Sequence, residues 1–387
     1  MTFSLTDTIT ALATPPGTSA LCIIRVSGSK AIQNVTSVFS SPQRLLSAED
    51  HQAVHGYIRD GKRSVDEVVC LVYRHPHSFT GEDMVEISGH GNPDLANQIL
   101  RLLLTSCRLA EPGEFTFRAF MNHKLDLAQA EAVNDLISAQ TAKAEKSALN
   151  QLQGRLSEQI RYYVDALTEC RICFELAIDF ADQDLPEMDL SLTQSRLQDI
   201  RSQLDIILRN GRQGRILRDG YTVCLAGAPN VGKSSLFNLF LQTNRALVTP
   251  TPGTTRDYLE EWLSLDGFPI RLIDTAGLRE TPDGIEQMGM DKTREQLAKA
   301  DLILYLTDPD TIGTDPLLAD YLTDPRVLPV LNKTDLLGIT ELTDWQAAIQ
   351  EKLPVTDDKL LKTLIPLSTF FAETLIPLQT AILQRIA

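Results

Sequence analysis

Hydrophobic and polar positions follow different patterns in three successive parts of the chain. Up to about residue 118, short apolar runs at 20–26, 65–73 and 84–88 are separated by Gly and Pro, with one helical stretch at 95–105. This mixture predicts a small α+β domain.

The second part, from residue 125 to about 209, is rich in Ala, Gln, Leu and Glu. Asp-Leu-Pro at 184–186 interrupts it, and a second helix is predicted over about 190–208. We expect two long helices forming a helical arm, with an apolar stripe that serves packing rather than cofactor binding. The stripe recurs every three or four residues and comprises Leu149, Leu152, Leu156, Ile160, Tyr163 and Leu167.

The third part alternates strands and helices. Gly211 and Gly214 predict a linker, after which strands are expected at 221–226, 270–273, 302–307, 327–331 and 364–367. This order predicts a doubly wound, mostly parallel α/β sheet. The chain therefore divides into three predicted domains, 1–118, 119–213 and 214–387.

Composition narrows the class of protein. The chain has 387 residues and a net charge of −15, so nucleic acid would have to bind a local basic patch. We find no signal peptide and no long apolar run, and expect a soluble, cytoplasmic protein without a membrane partner. The six cysteines are scattered, and we interpret them as buried reduced thiols.

A phosphate-binding loop lies at residues 227–235, between a predicted strand and a predicted helix. Its sequence Gly-Ala-Pro-Asn-Val-Gly-Lys-Ser-Ser fits the P-loop pattern, in which backbone N–H groups and Lys233 hold phosphates and Ser234 binds Mg²⁺. Two further motifs end predicted strands. In Asp-Thr-Ala-Gly at 274–277, the Asp can accept a hydrogen bond from a metal-bound water, and the Gly lets its backbone N–H approach the γ-phosphate.

Asn-Lys-Thr-Asp at 332–335 supplies a carboxylate that accepts two hydrogen bonds from guanine and none from adenine, a difference of about 1–3 kcal/mol. In the segment between the phosphate loop and Asp-Thr-Ala-Gly, Thr255 is the chosen second Mg²⁺ ligand. After the last predicted strand, Ser368-Thr369 takes the place of a guanine-flanking loop. The predicted GTP-binding residues are Asn230, Val231, Gly232, Lys233, Ser234, Ser235, Thr249, Pro250, Thr251, Pro252, Gly253, Thr254, Thr255, Asp274, Thr275, Ala276, Gly277, Asn332, Lys333, Thr334, Asp335, Ser368 and Thr369.

Hydrolysis needs a group that orients water. Leu278 follows Asp-Thr-Ala-Gly, where many GTPases have Gln or His, and its side chain cannot do this. Glu280, Asp283 and Glu286 in the next segment are all candidates by residue type.

These motifs, together with Ala-Thr-Pro-Pro-Gly at 13–17, Phe-Thr-Gly-Glu-Asp at 79–83, Pro-Gly-Glu-Phe at 112–115 and the segment 122–132, resemble the MnmE (TrmE) family of tRNA-modification GTPases. The resemblance covers essentially the whole chain. It implies a homodimer formed through the N-terminal domain that acts with the flavoprotein MnmG (GidA). Together they would add a carboxymethylaminomethyl or aminomethyl group to C5 of the wobble uridine of certain tRNAs.

The resemblance also assigns residues. Arg25, Glu86 and Lys124 match the binding site for the one-carbon donor, 5-formyl- or 5,10-methylene-tetrahydrofolate. Asn230 matches a K⁺ ligand, with Thr249, Thr251 and Thr254 completing the coordination when G domains pair. Glu286 matches the carboxylate that orients water. Lys233, Asn230 and Glu286 are thus the expected catalytic residues.

The chain departs from the family pattern at its C-terminus. Family chains continue with further helices and end in Cys-x-Gly-Lys, whereas this sequence stops at Ala387. It is either a shortened form or a protein lacking that half, and we expect GTP binding to survive in both cases. The alternatives for function are a GTP-dependent RNA or ribosome-assembly switch, and a truncated paralogue with GTPase but no modification activity.

Overall fold

The structure is a computed structural model and describes residues 6–179, 190–244, 259–274, 295–311, 324–337 and 363–386. Contacts divide the chain into two compact units, Met1–Asn134 with Gln151–Gln159, and Asp135–Asn150 with Ile160–Ala387. The described strands are β1 (Ile9–Leu12), β2 (Leu21–Ser27), β3 (Gln52–Asp60), β4 (Arg63–Tyr73), β5 (Met84–His90), β6 (Arg108–Leu109), β7 (Tyr221–Gly227), β8 (Leu259–Leu265), β9 (Phe268–Asp274), β10 (Leu302–Thr307), β11 (Val327–Leu331) and β12 (Ile365–Pro366).

The described α-helices have the following bounds. They are α1 (Ala31–Thr36), α2 (Pro42–Leu46), α3 (Pro93–Leu103), α4 (Glu114–Met121), α5 (Leu127–Ser138), α6 (Ala142–Leu152), α7 (Arg155–Asp179), α8 (Leu190–Asp219), α9 (Lys233–Asn244) and α10 (Leu375–Ile386). No described helix is both long enough and apolar enough to cross a bilayer.

The first unit contains the predicted α+β domain. Its sheet has the order β3-β4-β5-β2-β1-β6, and helices α1, α2 and α3 contribute to its apolar core. The strict alternation of buried and exposed positions in β3 leaves one face in that core. Helix α3 begins two residues earlier than predicted because the Asn92 side chain accepts hydrogen bonds from the first-turn N–H groups and Pro93 opens the helix.

The second unit carries the doubly wound sheet, in the order β12-β11-β10-β7-β9-β8. All its described pairings are parallel except that of β8 with β9. Both faces of the central strands are buried, which explains their continuous apolar runs. The carboxyl ends of β7, β9, β10, β11 and β12 therefore meet at one edge, where the nucleotide motifs lie.

The helical region differs from the prediction in two respects. Before the interruption there are three helices rather than one, since Thr141 Oγ1 accepts from the Ala144 N–H to begin α6 and Gly154 adopts φ +82° between α6 and α7. The predicted linker is wrong, because Gly211 and Gly214 lie inside α8. Helix-favouring residues surround them, and two glycines at a cost of about 1 kcal/mol each do not end a helix of this length.

The apolar stripe of the helical region is incompletely covered. Leu149, Leu156, Ile160 and Leu167 are each between 37% and 46% exposed. The expected packing role of the stripe is thus not fulfilled within the described part of the chain.

The cysteines fit their predicted structural role. All six are free thiols, and all except Cys173 are buried. Burial raises the pKa of Cys70 and of Cys224 to about 12, so both thiols remain protonated at neutral pH.

Candidate functional site

The phosphate loop joins the end of β7 to the first residue of α9. Three of its residues have positive φ: Gly227 (+134°), Asn230 (+62°) and Gly232 (+99°). A Cβ atom on Gly227 would lie 2.1 Å from the Leu306 carbonyl oxygen, so only glycine fits against the neighbouring strand. A loop that alternates backbone handedness before a helix N-terminus is typical of anion-binding nests.

Lys233 supplies a positive charge to this loop and is only 8% exposed. Its ammonium donates hydrogen bonds to the carbonyl oxygens of Gly227 (3.1 Å) and Ala228 (2.7 Å). The lysine is therefore held across the loop in which phosphate is expected. Phosphate oxygens are stronger acceptors than carbonyl groups for such a donor.

Ser234 and Asp274 form the described part of the expected Mg²⁺ site. The two parallel strands place Asp274 opposite Leu225, near the end of β7, and Ser234 Oγ donates a 2.8 Å hydrogen bond to Asp274 Oδ2. The Asp274 side chain is completely buried. A hydroxyl and a carboxylate in contact suit a hard cation that binds oxygen and retains water. Ser234 would hold the ion, and Asp274 would orient a water bound to it.

The guanine motif begins where β11 ends, and the phosphate loop and the segment after β12 hold it. Asn332 Nδ2 donates to the Val231 carbonyl oxygen at 2.8 Å, which connects the motif to the phosphate loop. Thr334 Oγ1 donates to the Leu367 carbonyl oxygen at 3.0 Å. Ser368 Oγ donates to Asp335 Oδ1 at 2.7 Å, so the carboxylate predicted to read guanine has a fixed orientation.

Lys333 has a partner that the sequence analysis missed. Its ammonium lies 2.6 Å from Oδ2 of Asp308, whose side chain is only 5% exposed. Burial alone would raise the pKa of Asp308, but hydrogen bonds from Lys333 and Thr311 lower it below the usual aspartate value. The signal in the sequence was the position of Asp308 directly after predicted strand 302–307, at the same sheet edge as the three motifs.

Part of the predicted site lies outside the described residues. This applies to the candidate water-orienting residues Glu280, Asp283 and Glu286 and to Leu278. It also applies to the switch and phosphate-sensing residues Thr249, Pro250, Thr251, Pro252, Gly253, Thr254, Thr255, Thr275, Ala276 and Gly277. Among the predicted K⁺ ligands, Asn230 is described. The predicted residues Ser235 and Thr369 lie at the start of α9 and directly after Ser368, respectively.

The N-terminal sheet carries a second cluster of predicted site residues. Arg25 on β2 and Glu86 on β5 are directly opposite each other, and Arg25 Nε and Nη2 donate to Glu86 Oε1 at 2.9 and 2.7 Å. Tyr73 Oη donates to Glu86 Oε2 at 3.3 Å. Burial and the adjacent Glu86 carboxylate raise the pKa of Tyr73. Sequence analysis did not identify Tyr73 as part of this cluster.

Aromatic rings flank this ion pair. The guanidinium carbon of Arg25 lies 5.3 Å from the ring centre of Phe79 and 5.5 Å from that of Phe115. Lys124, the third predicted residue, donates to the Pro76 carbonyl oxygen at 3.1 Å, and its Cγ would be 3.1 Å from a Cβ on Gly81. Phe79 thus lies beside Arg25, and Gly81, two residues later, lies close to the Lys124 side chain. Phe79 and Phe115 lie in motifs that the sequence analysis quoted, but no role had been predicted for them.

A P-loop fold with Lys233, Ser234, Asp274 and a guanine motif at one sheet edge defines this protein as a GTPase. The family model described as "GTP-binding protein TrmE N-terminus" matches residues 8–124, and the model described as "MnmE helical domain" matches residues 127–385. The chain belongs to the MnmE family.

Curated relatives agree with this assignment. The chain is 42% identical over 338 residues to the tRNA modification GTPase MnmE of Bacillus velezensis, with 85% of this chain and 74% of the relative covered. It is 44% identical over 340 residues to the protein of the same name from Geobacillus thermodenitrificans, with 85% and 73% covered. A solved G domain of the T. maritima FeoB iron transporter is 26% identical to this chain. The match covers 43% of this chain and 99% of the FeoB G-domain chain. Its TM-score is 0.30, too low to bear on function.

Proposed function

We propose that this chain hydrolyses GTP in the service of tRNA modification, at C5 of the wobble uridine, together with the flavoprotein MnmG. The observation that carries the proposal is that one chain combines the nucleotide site with the Arg25–Glu86 cluster of a TrmE-type N-terminal domain. The curated relatives named above are tRNA modification GTPases. We also propose that the chain acts as a homodimer through that domain.

Described residues give the nucleotide site its chemistry. Lys233 and the nest of the phosphate loop bind the phosphates, and Asp335, held by Ser368, selects guanine. Ser234, with Thr255, would hold Mg²⁺, and Asp274 would orient a water bound to the ion. When bound, Mg²⁺ neutralises phosphate charge. Asn230 is exposed in the loop with φ +62°, a position from which its side chain would contribute to a K⁺ site. Glu286 orients the attacking water in this proposal.

Steady-state GTP hydrolysis in KCl and in NaCl at equal ionic strength tests the proposed mechanism. We expect strong stimulation by K⁺ that Glu286→Ala abolishes, because that substitution removes the water-orienting carboxylate. Glu280→Ala is the matched control, since it removes a carboxylate from the same segment, and it should retain the stimulation. Equal rates in the two salts would contradict the K⁺ role of Asn230.

The N-terminal cluster is proposed to bind a tetrahydrofolate derivative as one-carbon donor. A carboxylate can accept hydrogen bonds from the aminopyrimidine edge of the pterin ring of a folate, and cations can bind the glutamate tail of the folate. The two hydrogen bonds from Arg25 and the one from Tyr73 fix the Glu86 carboxylate. Phe79 and Phe115 border this group with flat apolar surfaces that suit a pterin ring.

Calorimetric titration with 5-formyl-tetrahydrofolate tests this site. Glu86→Gln should weaken binding about tenfold or more, because it removes a charged acceptor from a partly buried site. Glu67→Gln on β4 is the control, since Glu67 is 51% exposed and pairs with His55. An equal loss of affinity in the two variants would show that Glu86 has no specific role.

The modification reaction itself is tested with undermodified tRNA, MnmG, GTP and the folate derivative. We expect the modified nucleoside to form only when all components are present. GTP hydrolysis without any modified nucleoside would restrict the function of this chain to that of a GTPase.

A further inference from the structure

Asp308 lies at the nucleotide-binding edge because of the register of two parallel strands. Thr307, the last residue of β10, is paired with Leu331, the last residue of β11. The residues that follow, Asp308 and Asn332, therefore leave the sheet side by side. A buried carboxylate is thus placed next to the guanine motif by the topology of the sheet.

The contacts of Asp308 use both of its carboxylate oxygens. Oδ2 pairs with the Lys333 ammonium at 2.6 Å, and Oδ1 accepts hydrogen bonds from Thr311 Oγ1 at 2.7 Å and from the Thr311 N–H at 3.0 Å. The turn 308–311 therefore anchors one oxygen and directs the other to Lys333. The lowered pKa of Asp308 keeps its carboxyl group ionised at neutral pH.

The backbone of Lys333 has an unusual conformation. Its φ is +60°, in the left-handed region that non-glycine residues seldom occupy. Asn332 and Thr334 on either side are held by the phosphate loop and by the segment after β12. The pair with Asp308 fixes the side chain between these two anchors.

We propose that Asp308 is a positioning residue for guanine-nucleotide binding, acting through Lys333. It holds the lysine stem and charge beside the base site before nucleotide arrives. The bound nucleotide then need not order this side chain, which strengthens binding. The proposal rests on the GTP-binding part of the proposed function and is independent of tRNA modification.

The test is a double-mutant cycle on the full chain, with a fluorescent GDP analogue as probe. Asp308→Asn should raise the Kd about tenfold, mainly by faster dissociation. Lys333→Met should also weaken binding, and the double variant should be no weaker than Lys333→Met alone, because Asp308 acts through the lysine. Asp324→Asn is the matched control. It weakens a comparable ion pair, with Arg326 at 2.7 Å, at the opposite end of β11 from the guanine motif, and should stay within about twofold of the wild-type Kd.

The outcomes separate positioning from a general structural role. An additive cycle, or equal losses in Asp308→Asn and Asp324→Asn, would overturn the proposal. Binding of the GDP analogue by the wild-type chain tests the guanine-nucleotide site independently of either result. If Asp308→Asn does not fold, a crystal structure of the wild-type GDP complex decides instead. Retention of the Lys333–Asp308 pair supports the proposal, and a lysine turned away from Asp308 contradicts it.

Discussion

The Asn332 side chain donates a 2.8 Å hydrogen bond to the carbonyl oxygen of Val231, a residue 101 positions earlier in the sequence. This bond connects the guanine motif to the phosphate loop. It requires close approach, because Asn332 Nδ2 occupies the place that a side chain on Gly232 would take. The two halves of the nucleotide site are thus joined by a direct hydrogen bond between protein groups.

Gly232→Ala should therefore disrupt the site. Its Cβ would lie 2.1 Å from Asn332 Nδ2, and φ is +99°. Backbone strain and the lost hydrogen bond together come to about 3 kcal/mol, so GTP affinity should fall about 100-fold. Fluorescent-nucleotide titration measures this effect. Gly61→Ala is the control, because Gly61 also has positive φ but nothing lies within 4 Å of its Cβ position. Wild-type affinity in Gly232→Ala would show that the connection has no role in binding.

Asp335→Asn should change base selectivity. In the proposed site the Asp335 carboxylate would accept hydrogen bonds from guanine N1 and N2, whereas an amide would also offer a donor to the C2 carbonyl of xanthine. We expect GTP affinity to fall about 10- to 100-fold and XTP affinity to rise. Competition between GTP, XTP and ITP measures the change. An equal loss for all three would instead indicate damage to the fold.

The sequence predicted the strands that end at the nucleotide motifs, but it did not predict the side chains that pair with those motifs. The strands 302–307 and 327–331 have the predicted bounds, because buried parallel strands are continuous apolar runs that end at polar motifs. The partners of these motifs were harder to predict. The position of Asp308 directly after a predicted strand was a signal for its place at the sheet edge. Its pairing with Lys333, like that of Tyr73 with Glu86, depends on strand register, which leaves no local signal in one sequence.

In helix α8 the sequence predicts a feature that the structure does not have. Local propensity predicts a linker at Gly211 and Gly214, yet the helix continues to Asp219. The helix ends at Gly220, which has φ +80° and where a Cβ would lie 2.4 Å from the Trp262 ring. A glycine that the fold requires and one that the fold tolerates look the same in one sequence.

Alanine substitutions distinguish these two kinds of glycine. Gly211→Ala should stabilise the chain by about 0.5–1 kcal/mol, because the position is helical and nothing lies within 4 Å of the added Cβ. Gly220→Ala should destabilise it, since the left-handed backbone and the Trp262 ring both oppose a side chain. Urea unfolding measures both effects. Lack of stabilisation by Gly211→Ala would support the original linker prediction.

The first unit should lose stability in acid because of a buried charge network. Arg118 is completely buried and pairs with Asp7 at 2.9 Å, with Glu114 at 3.0 Å and with Glu82 at 3.2 Å. Hydrogen bonding to Arg108 lowers the pKa of Asp7. Burial opposes a low pKa for Glu114, but hydrogen bonds from Arg108, the Glu111 N–H and Arg118 lower it. Both carboxyl groups are thus more acidic in the folded state than at their reference values of 3.8 and 4.5.

Since the unfolded chain binds more protons in this range, the stabilisation is fully present above about pH 4.5 and is lost as pH falls through the folded-state pKa values. Glu114→Gln should destabilise the unit by about 3 kcal/mol at neutral pH, because it leaves Arg118 with fewer anionic partners, and it should flatten the acid dependence. Urea unfolding followed by circular dichroism from pH 7 to 3 measures both. Glu111→Gln, an exposed carboxylate in the same turn, is the control and should retain the wild-type profile. An unchanged pH profile in Glu114→Gln would mean that acid unfolding begins elsewhere.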